Sequence, residues 1–326
     1  MKQFDYLEEA TESFVTLPSE SLLTYSFTGD VNSNRQLDII PVERNLQSAT
    51  DIESMRFVSD EVAMKTAKHS RASRFNSVKS STVSPRKKVD ANSTTKTQKL
   101  LDGAIAYAWS TIKSHRKPPV LTRARWVWRL AGSYHLAHYH PRLIEEAAQI
   151  FAEAKRWNLA QWATQKAREE RGHDKLALLD IQLMGYDAEA VVNALVPPAA
   201  VSLVNYCTHS VRKADPIGCV GYAYTMERLA ICRGKEYIQA VEAVMPSNTR
   251  ANRFLKTHSS VGDDVKHVEE AVEMIGGLTP EERTQIATAC YETALLCFRP
   301  PHEDYISEEE LHNVLKPLEQ KTIDKF

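Results

Sequence analysis

The sequence lacks any apolar run of the roughly 20 residues that a membrane-spanning helix requires. Its first segment, MKQFDYLEEATESF, also lacks the charged block and the apolar block of a signal peptide. Both absences argue against a membrane-bound or secreted protein. We therefore expect a cytoplasmic protein that has no membrane partner.

Neither sign of charge is in excess, because 41 Lys and Arg residues oppose 42 Asp and Glu residues and the formal net charge is -1. A chain with this balance has no general attraction for nucleic acid or for an anionic membrane. We expect no nucleic-acid partner, and any charged ligand must be bound by local groups.

Cysteine is scarce, and its pattern argues against a disulfide framework. The number of cysteines is odd and no C-x-x-C pair occurs. We expect reduced thiols that are buried like small hydrophobic side chains. The five residues are Cys207, Cys219, Cys232, Cys290 and Cys297.

The first hundred residues differ in composition from the rest. Residues 1–60 show no sustained period and predict an irregular amino-terminal extension. Residues 61–100 are rich in Ser, Thr, Lys and Arg and poor in large apolar groups, so they cannot bury enough surface to offset the entropy of ordering. We predict a basic, flexible linker there, and the alternative is a basic arm that contacts RNA or a protein partner.

Residues 101–326 predict a single all-α domain. Long segments with helical periodicity are separated by proline and glycine, and no segment alternates with the period of a strand. We expect the first helix to start at Leu101, a new helix to start at Pro141, and one continuous helix to carry the segment EERGHD as far as Gly185. Helix-capping residues are expected at Thr279, in a capping box with Glu282, and at Ser307.

The segment EERGHD contains the first candidate for metal binding. Glu170 and His173 are three residues apart, so on one helix they share a face and can reach one cation. A helical Glu-x-x-His pair holds iron in four-helix carboxylate proteins. The alternative is a solvated helix face, because Gln165, Lys166 and Arg168 form a polar surface nearby.

A second candidate is Glu227, in the apolar and aromatic segment GCVGYAYTMERLAICRG. An ionised carboxylate in such surroundings is unfavourable unless a cation or a hydrogen-bond network stabilises it. An ion pair with Arg228 or Arg233 is the alternative.

The third candidate is the segment THSSVGDDVKHVEEAV, which holds His258, Asp264 and His267. A surface turn at Gly262 would also explain the two aspartates that follow it. Taken together, the three segments offer carboxylates and imidazoles without a thiolate, and this set suits iron or manganese better than structural zinc. The groups are sufficient in number for two metal ions.

The order of these motifs resembles that of the heme-oxygenase-like diiron oxidases and oxygenases, also described as iron-containing redox enzymes. The resemblance covers about residues 122–300 and includes the segments YHLAHYHPRLIEEAA, DPIGCVGYAYTMERLA and NRFLKTHSSV. It implies a seven-helix heme-oxygenase-like bundle, two Fe(II) ions, and O₂ as a cosubstrate. The ligands that it implies are Glu170, His173, Glu227, His258, Asp264 and His267, with Glu169 and Asp263 as the nearest substitutes.

One departure from the family pattern is an insertion of two residues between His258 and Asp264. On an unbroken helix His258 would point away from the site, Ser260 would take its position, and one metal would be lost. Alternatively, a π-turn or a break at Gly262 restores His258 to the site. We favour the second interpretation because His258 follows the matching lead-in FLKT.

The resemblance implies oxidation of a small amine, amino acid or fatty acid in specialised metabolism, by N-oxygenation, desaturation or C–C cleavage. It also implies an external electron donor and a homodimer. Alternatives are a metal-free, thiaminase-like pocket, a helical partner-binding protein, and a ferritin-like bundle in which Glu309 and His312 form a second motif. That acidic run is better explained by the favourable charge at a helix amino terminus.

Substrate contacts are expected among residues near the motifs. Histidines in such helices are more commonly satisfied core residues than ligands, and a solvated arginine is the default. The candidates are Tyr134, His135, His138, His140, Tyr222, Tyr224, Arg228 and Arg250.

Overall fold

The computed structural model describes residues 91–112, 119–259, 261–262 and 264–320, with side chains described from Ser93 onward. The predicted extension, most of the predicted linker, Ser260 and Asp263 lie outside the described residues. Within the described ranges the chain is helical, and extended pairing is limited to an isolated bridge between Tyr186 and Glu319. The prediction of an all-α fold is confirmed.

The helices follow one another closely along the chain. They are α1 (Ala91–Thr111), α2 (Arg123–Glu153), α3 (Trp157–Glu170), α4 (His173–Leu183), α5 (Ala188–Ala194), α6 (Pro198–Val211), α7 (Gly218–Ile231), α8 (Lys235–Glu242), α9 (Arg253–Thr257), α10 (Asp264–Gly276), α11 (Pro280–Phe298) and α12 (Glu308–Leu315). No single helix among the described residues is long and apolar enough to cross a bilayer, although α5 and α6, bent by 79°, meet those criteria as a pair.

The first helix begins ten residues earlier than Leu101, so the end of the segment predicted as linker is helical. The reason is a row of buried side chains on one helix face, which the polar composition of the segment does not suggest. Thr97, Leu101 and Ile105 are four residues apart and lie on one face. The helix packs on α10 and α11, and Ser93 Oγ donates to Gly276 O over 3.1 Å. Tertiary packing therefore extends α1 beyond its apolar segment.

The expectation of a new helix at Pro141 is wrong, because α2 continues through that residue. Proline removes only one intrahelical hydrogen bond, and packing on both sides of it stabilises the helix. The amino-terminal half of α2 contributes Val127 and Leu130 to one hydrophobic core, and the other half contributes Ile144 and Phe151 to a second core. A single long helix thus joins the two cores.

The continuous helix expected through EERGHD is also wrong. Helix α3 ends at Glu170 and α4 begins at His173. Between them Gly172 has a φ of 93°, a left-handed conformation that glycine adopts at little cost and that commonly ends helices. The chain therefore changes direction between the two residues of the first motif.

Two predicted caps are confirmed. Thr279 and Glu282 form a complete capping box at the start of α11, and Ser307 accepts a hydrogen bond from Glu310 N at the start of α12. Each cap satisfies backbone donors that have no partner within the helix.

The helices that carry the predicted ligands divide between the two cores. Helices α3, α7 and α10 contribute to the core that contains Phe151, whereas α4 and α9 contribute to the core that contains Leu130. Polar side chains from both groups meet where these helices end or bend. The fold thus brings the three motifs to the boundary between the cores.

Candidate metal centre

The first motif remains compact although its helix is interrupted. Glu170 is the last residue of α3, and its Oε2 lies 3.1 Å from Nδ1 of His173, the first residue of α4. Glu170 is buried, with 6% of its surface exposed. The turn at Gly172 therefore preserves the pairing that a continuous helix was expected to supply.

Glu227 extends from α7 into the same cluster and is buried. Arg228, one of the two predicted partners, donates from Nε to Asp102 Oδ1 over 2.9 Å. Glu227 contacts the ammonium group of Lys166. Burial raises the pKa of Glu227 to about 7, although Lys166 partly opposes this rise.

The third motif reaches the cluster because the helical conformation is interrupted after Thr257. Helix α9 ends at Thr257, and His258 leaves the helical conformation with φ −103° and ψ 67°. Gly262 N donates to Ser259 O over 3.0 Å within the turn, and α10 begins at Asp264. This geometry corresponds to the favoured interpretation, in which a break returns His258 to the site.

Contacts within the third motif are close. His258 Nδ1 lies 3.3 Å from Asp264 Oδ2, and His267 Nδ1 lies 3.6 Å from Asp264 Oδ1. The rings of His173 and His258 have centroids 4.8 Å apart. The first and third motifs are therefore in direct contact.

The candidate ligands form two groups. Within each group, the ligand atoms lie within 4.8 Å of one another. The first half-site consists of Glu170, His173 and His258, and the second half-site consists of Glu170, Glu227 and His267. Glu170 is common to both. A helical partner-binding protein would not require this convergence, so the geometry disfavours that alternative.

The charges in the cluster favour bound cations. Burial tends to raise the pKa of Glu170, but the hydrogen bond with His173 and the charge of Lys166 outweigh it and hold the pKa well below its ordinary value. Burial likewise tends to raise the pKa of Asp264, but hydrogen bonds with His258 and His267 lower it. These carboxylates are ionised at neutral pH, which is the state that binds a metal.

The residues fit a site for iron or manganese. The donor set is carboxylate and imidazole, as these metals prefer. His258 Nε2 is buried and has no hydrogen-bond partner among the described residues. A buried nitrogen without a partner is unfavourable unless a ligand engages it.

Lys166 also belongs to this cluster, although the sequence pattern placed it on a solvated helix face. That assignment is wrong, because only 3% of Lys166 is exposed. Burial tends to lower its pKa, but the carboxylates of Glu227 and Glu170 outweigh this effect and raise it. The available signal was its spacing, since Lys166 lies one helical turn before Glu170 and must share its face.

Several predicted substrate contacts have structural partners instead. His135 Nε2 lies 3.0 Å from Val192 O and 3.1 Å from Leu195 O, which matches the interpretation as a satisfied core histidine. His138 Nδ1 pairs with Asp174 Oδ2 at 3.0 Å.

Other candidates belong to separate networks or are exposed. Tyr224 donates to Asp102 Oδ1 over 2.7 Å. Arg250, Glu309 and His312 are exposed, so no second Glu-x-x-His site forms on α12. Glu169, named as a substitute ligand, does reach the cluster, with its Oε2 3.3 Å from His267 Nε2.

His140 lies beside the cluster and is expected to make the metal-free protein sensitive to acid. Its ring packs on Tyr222, and its Nε2 is buried without a hydrogen-bond partner among the described residues. Burial lowers the pKa of His140 from 6.5 to about 4. As pH falls through this window the unfolded chain takes up the proton before the folded chain does, so the free energy of unfolding decreases.

We expect the loss attributable to His140 to reach about 3 kcal/mol at pH 4, because each pKa unit corresponds to about 1.4 kcal/mol. Urea unfolding of His140→Gln at pH 7 and pH 4.5 should show a smaller decrease than the unmodified chain. His209→Gln, at an exposed histidine on α6, is the control and should retain the original decrease. If the free energy of unfolding decreased by the same amount between pH 7 and pH 4.5 in all three chains, the result would contradict the assignment of this effect to His140.

A cavity of about 450 Å³ lies next to the cluster. Phe254 forms part of its wall and also packs on His258, with ring centroids 4.6 Å apart. Phe254 therefore contacts both the cavity and one residue of the first half-site. Its apolar lining includes Trp126, Trp128, Leu203 and Phe298.

The sequence model of the iron-containing redox enzymes matches residues 124–299, which is more than half of the 326 residues and includes all six predicted ligands. No curated protein matches the chain at a significant level.

One solved structure that matches is a domain of unknown function with a heme oxygenase-like fold from Shewanella denitrificans OS217. It is 20% identical, the match covers 69% of this chain and 90% of that chain, and the TM-score is 0.47. On the family match, this chain belongs to the iron-containing redox enzymes, as predicted.

Proposed function

We propose that the protein is an O₂-activating non-heme iron oxidase or oxygenase whose iron is held by the six predicted ligands. The observation that carries this proposal is the convergence of three separate chain segments on two half-sites that have Glu170 in common. Bound ferrous iron supplies the electrons for O₂ reduction, and the protein supplies ligand geometry and a site sheltered from water.

The two half-sites differ in their chemistry. The first has one carboxylate and two imidazoles, from Glu170, His173 and His258. The second is richer in carboxylate, and Asp264 lies beside its imidazole, with Oδ1 3.6 Å from Nδ1 of His267. These residues favour the binding of two ferrous ions, because carboxylates neutralise the charge of a divalent ion and imidazoles complete its coordination.

Groups around the ligands orient them. His267 Nε2 faces Glu169, and a carboxylate on the outer nitrogen directs the inner nitrogen of an imidazole toward a metal. Asp102 helps to hold α7 in place around Glu227, because it accepts hydrogen bonds from Tyr224 and Arg228 on either side of that residue. These contacts hold the ligands before any metal binds.

The cavity supports a proposal for the class of substrate. Its volume suits a small organic molecule, and apolar side chains form most of its wall. Arg125 also lines it, and Arg125 Nε is buried without a hydrogen-bond partner among the described residues. A substrate with an apolar part and a carboxylate would satisfy this donor. We therefore favour an amino acid or a fatty acid over a simple amine.

A metal-free, thiaminase-like pocket is the second candidate function, and the cluster argues against it. Such a pocket would leave His258 Nε2 buried without a partner. It would also bury Glu170, Glu227 and Asp264 together, which is unfavourable without sufficient positive charge. An external electron donor and a homodimer stay predictions.

Anaerobic loading with Fe(II) followed by exposure to O₂ tests the proposal. We expect specifically bound iron, O₂ uptake that depends on that iron, and faster uptake when amino acids or fatty acids are present. Glu227→Ala should lower the rate of uptake by a factor of about 100 or more. The test variant is compared with Glu309→Ala, which removes an exposed glutamate on α12 and should have no effect. Absence of specific iron would overturn the proposal and favour the metal-free pocket.

A further inference from the structure

We propose that Lys166 is a built-in cation of the second half-site, so that one metal binds tightly in the first half-site and a second metal binds only after the Lys166 ammonium group is displaced. This inference rests on the function proposed above. It concerns the order and the affinity of metal binding, which the six ligands alone would not predict.

The contacts of Lys166 coincide with the second half-site. Its Nζ lies 3.1 Å from Glu170 Oε1 and 2.9 Å from His267 Nδ1, and it also contacts Glu227 Oε1. Glu170, Glu227 and His267 are the three residues whose ligand atoms converge there. The ammonium group therefore occupies the position from which a metal would reach all three.

The ammonium group lies against the atoms that a metal needs. Nδ1 of His267 lies 2.9 Å from Lys166 Nζ, and Oε1 of Glu170 lies 3.1 Å from the same nitrogen. Metal–ligand bonds of roughly 2.0 to 2.2 Å leave no room for an ammonium group among the same atoms. Occupation by Lys166 and occupation by a metal therefore exclude each other.

The described contacts of Lys166 do not include the two imidazoles of the first half-site. His173 and His258 come from α4 and α9, and their ring centroids are 4.8 Å apart. Glu170 serves both half-sites with different oxygens, since Oε2 faces His173 and Oε1 faces Lys166. A metal can thus bind Glu170 Oε2 while the lysine retains Oε1.

Burial explains why displacement is unfavourable. Lysine is almost never this buried unless it is paired, and Lys166 has two carboxylates as partners. Moving the ammonium group out breaks both ion pairs, and that cost opposes binding of the second metal. We expect the second metal to bind at least about tenfold more weakly than the first, as a coupling of 1.4 kcal/mol would produce.

Titration with Mn(II), followed by the electron paramagnetic resonance signal of free Mn(II), measures both affinities. The unmodified chain should bind one ion tightly and a second weakly. Lys166→Met, which retains the length but not the charge, should bind the second ion at least about tenfold more tightly. Lys256→Met is the control, because Lys256 is exposed and pairs with Glu242, and it should match the unmodified chain.

A second measurement uses the unmodified chain and does not depend on the folding of a variant. Reductive methylation with mass spectrometry reports the accessibility of each lysine. Lys166 should be protected in the metal-free protein and at one equivalent of Mn(II), and its methylation should rise several-fold when the second ion binds. Lys256 should react equally under all conditions.

The outcomes distinguish this inference from the proposed function. Two ions of equal affinity in the unmodified chain, an unchanged second affinity in folded Lys166→Met, or protection of Lys166 at full loading would each overturn the role of Lys166 and leave the iron enzyme intact. Absence of any specific metal in both chains would overturn both proposals.

Discussion

Glu170→Ala is expected to abolish tight iron binding, with affinity lowered at least about 100-fold. Glu170 belongs to both half-sites, and one oxygen faces His173 while the other faces Lys166. Its removal leaves two imidazoles in the first half-site, and Lys166 still contacts Glu227 in the second. Iron bound per chain after anaerobic loading and gel filtration measures the effect.

The neighbouring Glu169 cannot compensate for this loss, because it faces His267 rather than the first half-site. Glu309→Ala is the matched control, since Glu309 also precedes a histidine by three residues but lies exposed on α12. Circular dichroism establishes that each variant is folded. Retention of iron by folded Glu170→Ala at the level of the unmodified chain would refute the assignment of both half-sites.

Gly221→Ala is expected to destabilise the domain by about 2 to 4 kcal/mol, which is large for the addition of one methyl group. A Cβ atom on Gly221 would lie 2.4 Å from Ile286 O and 2.7 Å from Ala289 Cβ. Both atoms belong to α11, and the first is backbone that cannot rotate away. The two helices would have to separate.

The melting temperature should fall by roughly 5 to 10 °C in a domain of this size. Because Glu227 follows on the same helix, iron binding should also weaken. The control is Gly103→Ala in α1, where a Cβ atom would meet nothing within 4 Å. Alanine favours a helix over glycine by about 0.5 to 1 kcal/mol, so this variant should melt at the same or a higher temperature. Equal melting of both variants would show that α7 and α11 do not pack this closely.

The helical class and the capped helix ends were predictable because they depend on neighbours along the chain. Thr279 and Ser307 bond to residues three positions away, and local sequence is sufficient to recognise such caps. The continuous helix through Pro141 was not predictable in this way. It depends on two cores that form from residues far apart in sequence.

The three motifs were likewise recognisable from residue type and spacing, and their convergence agrees with the family that the chain resembles. The path of the chain between the ligands was harder to predict. Gly172 interrupts the first motif, and a turn after Thr257 separates His258 from α10. In both places the side chains remain together because helices from opposite cores meet there.

Sequence alone was enough to select the ligand candidates, because metals demand particular donor atoms and those atoms are properties of single residues. It was insufficient for Lys166, whose neighbours in sequence are polar and suggested a solvated position. Burial is a property of packed helices, and α10 packs on both α3 and α7, so that this lysine is enclosed between two carboxylates. The residues proposed to bind iron could therefore be recognised in the sequence, whereas the lysine proposed to compete with a metal is recognised only from the packed helices.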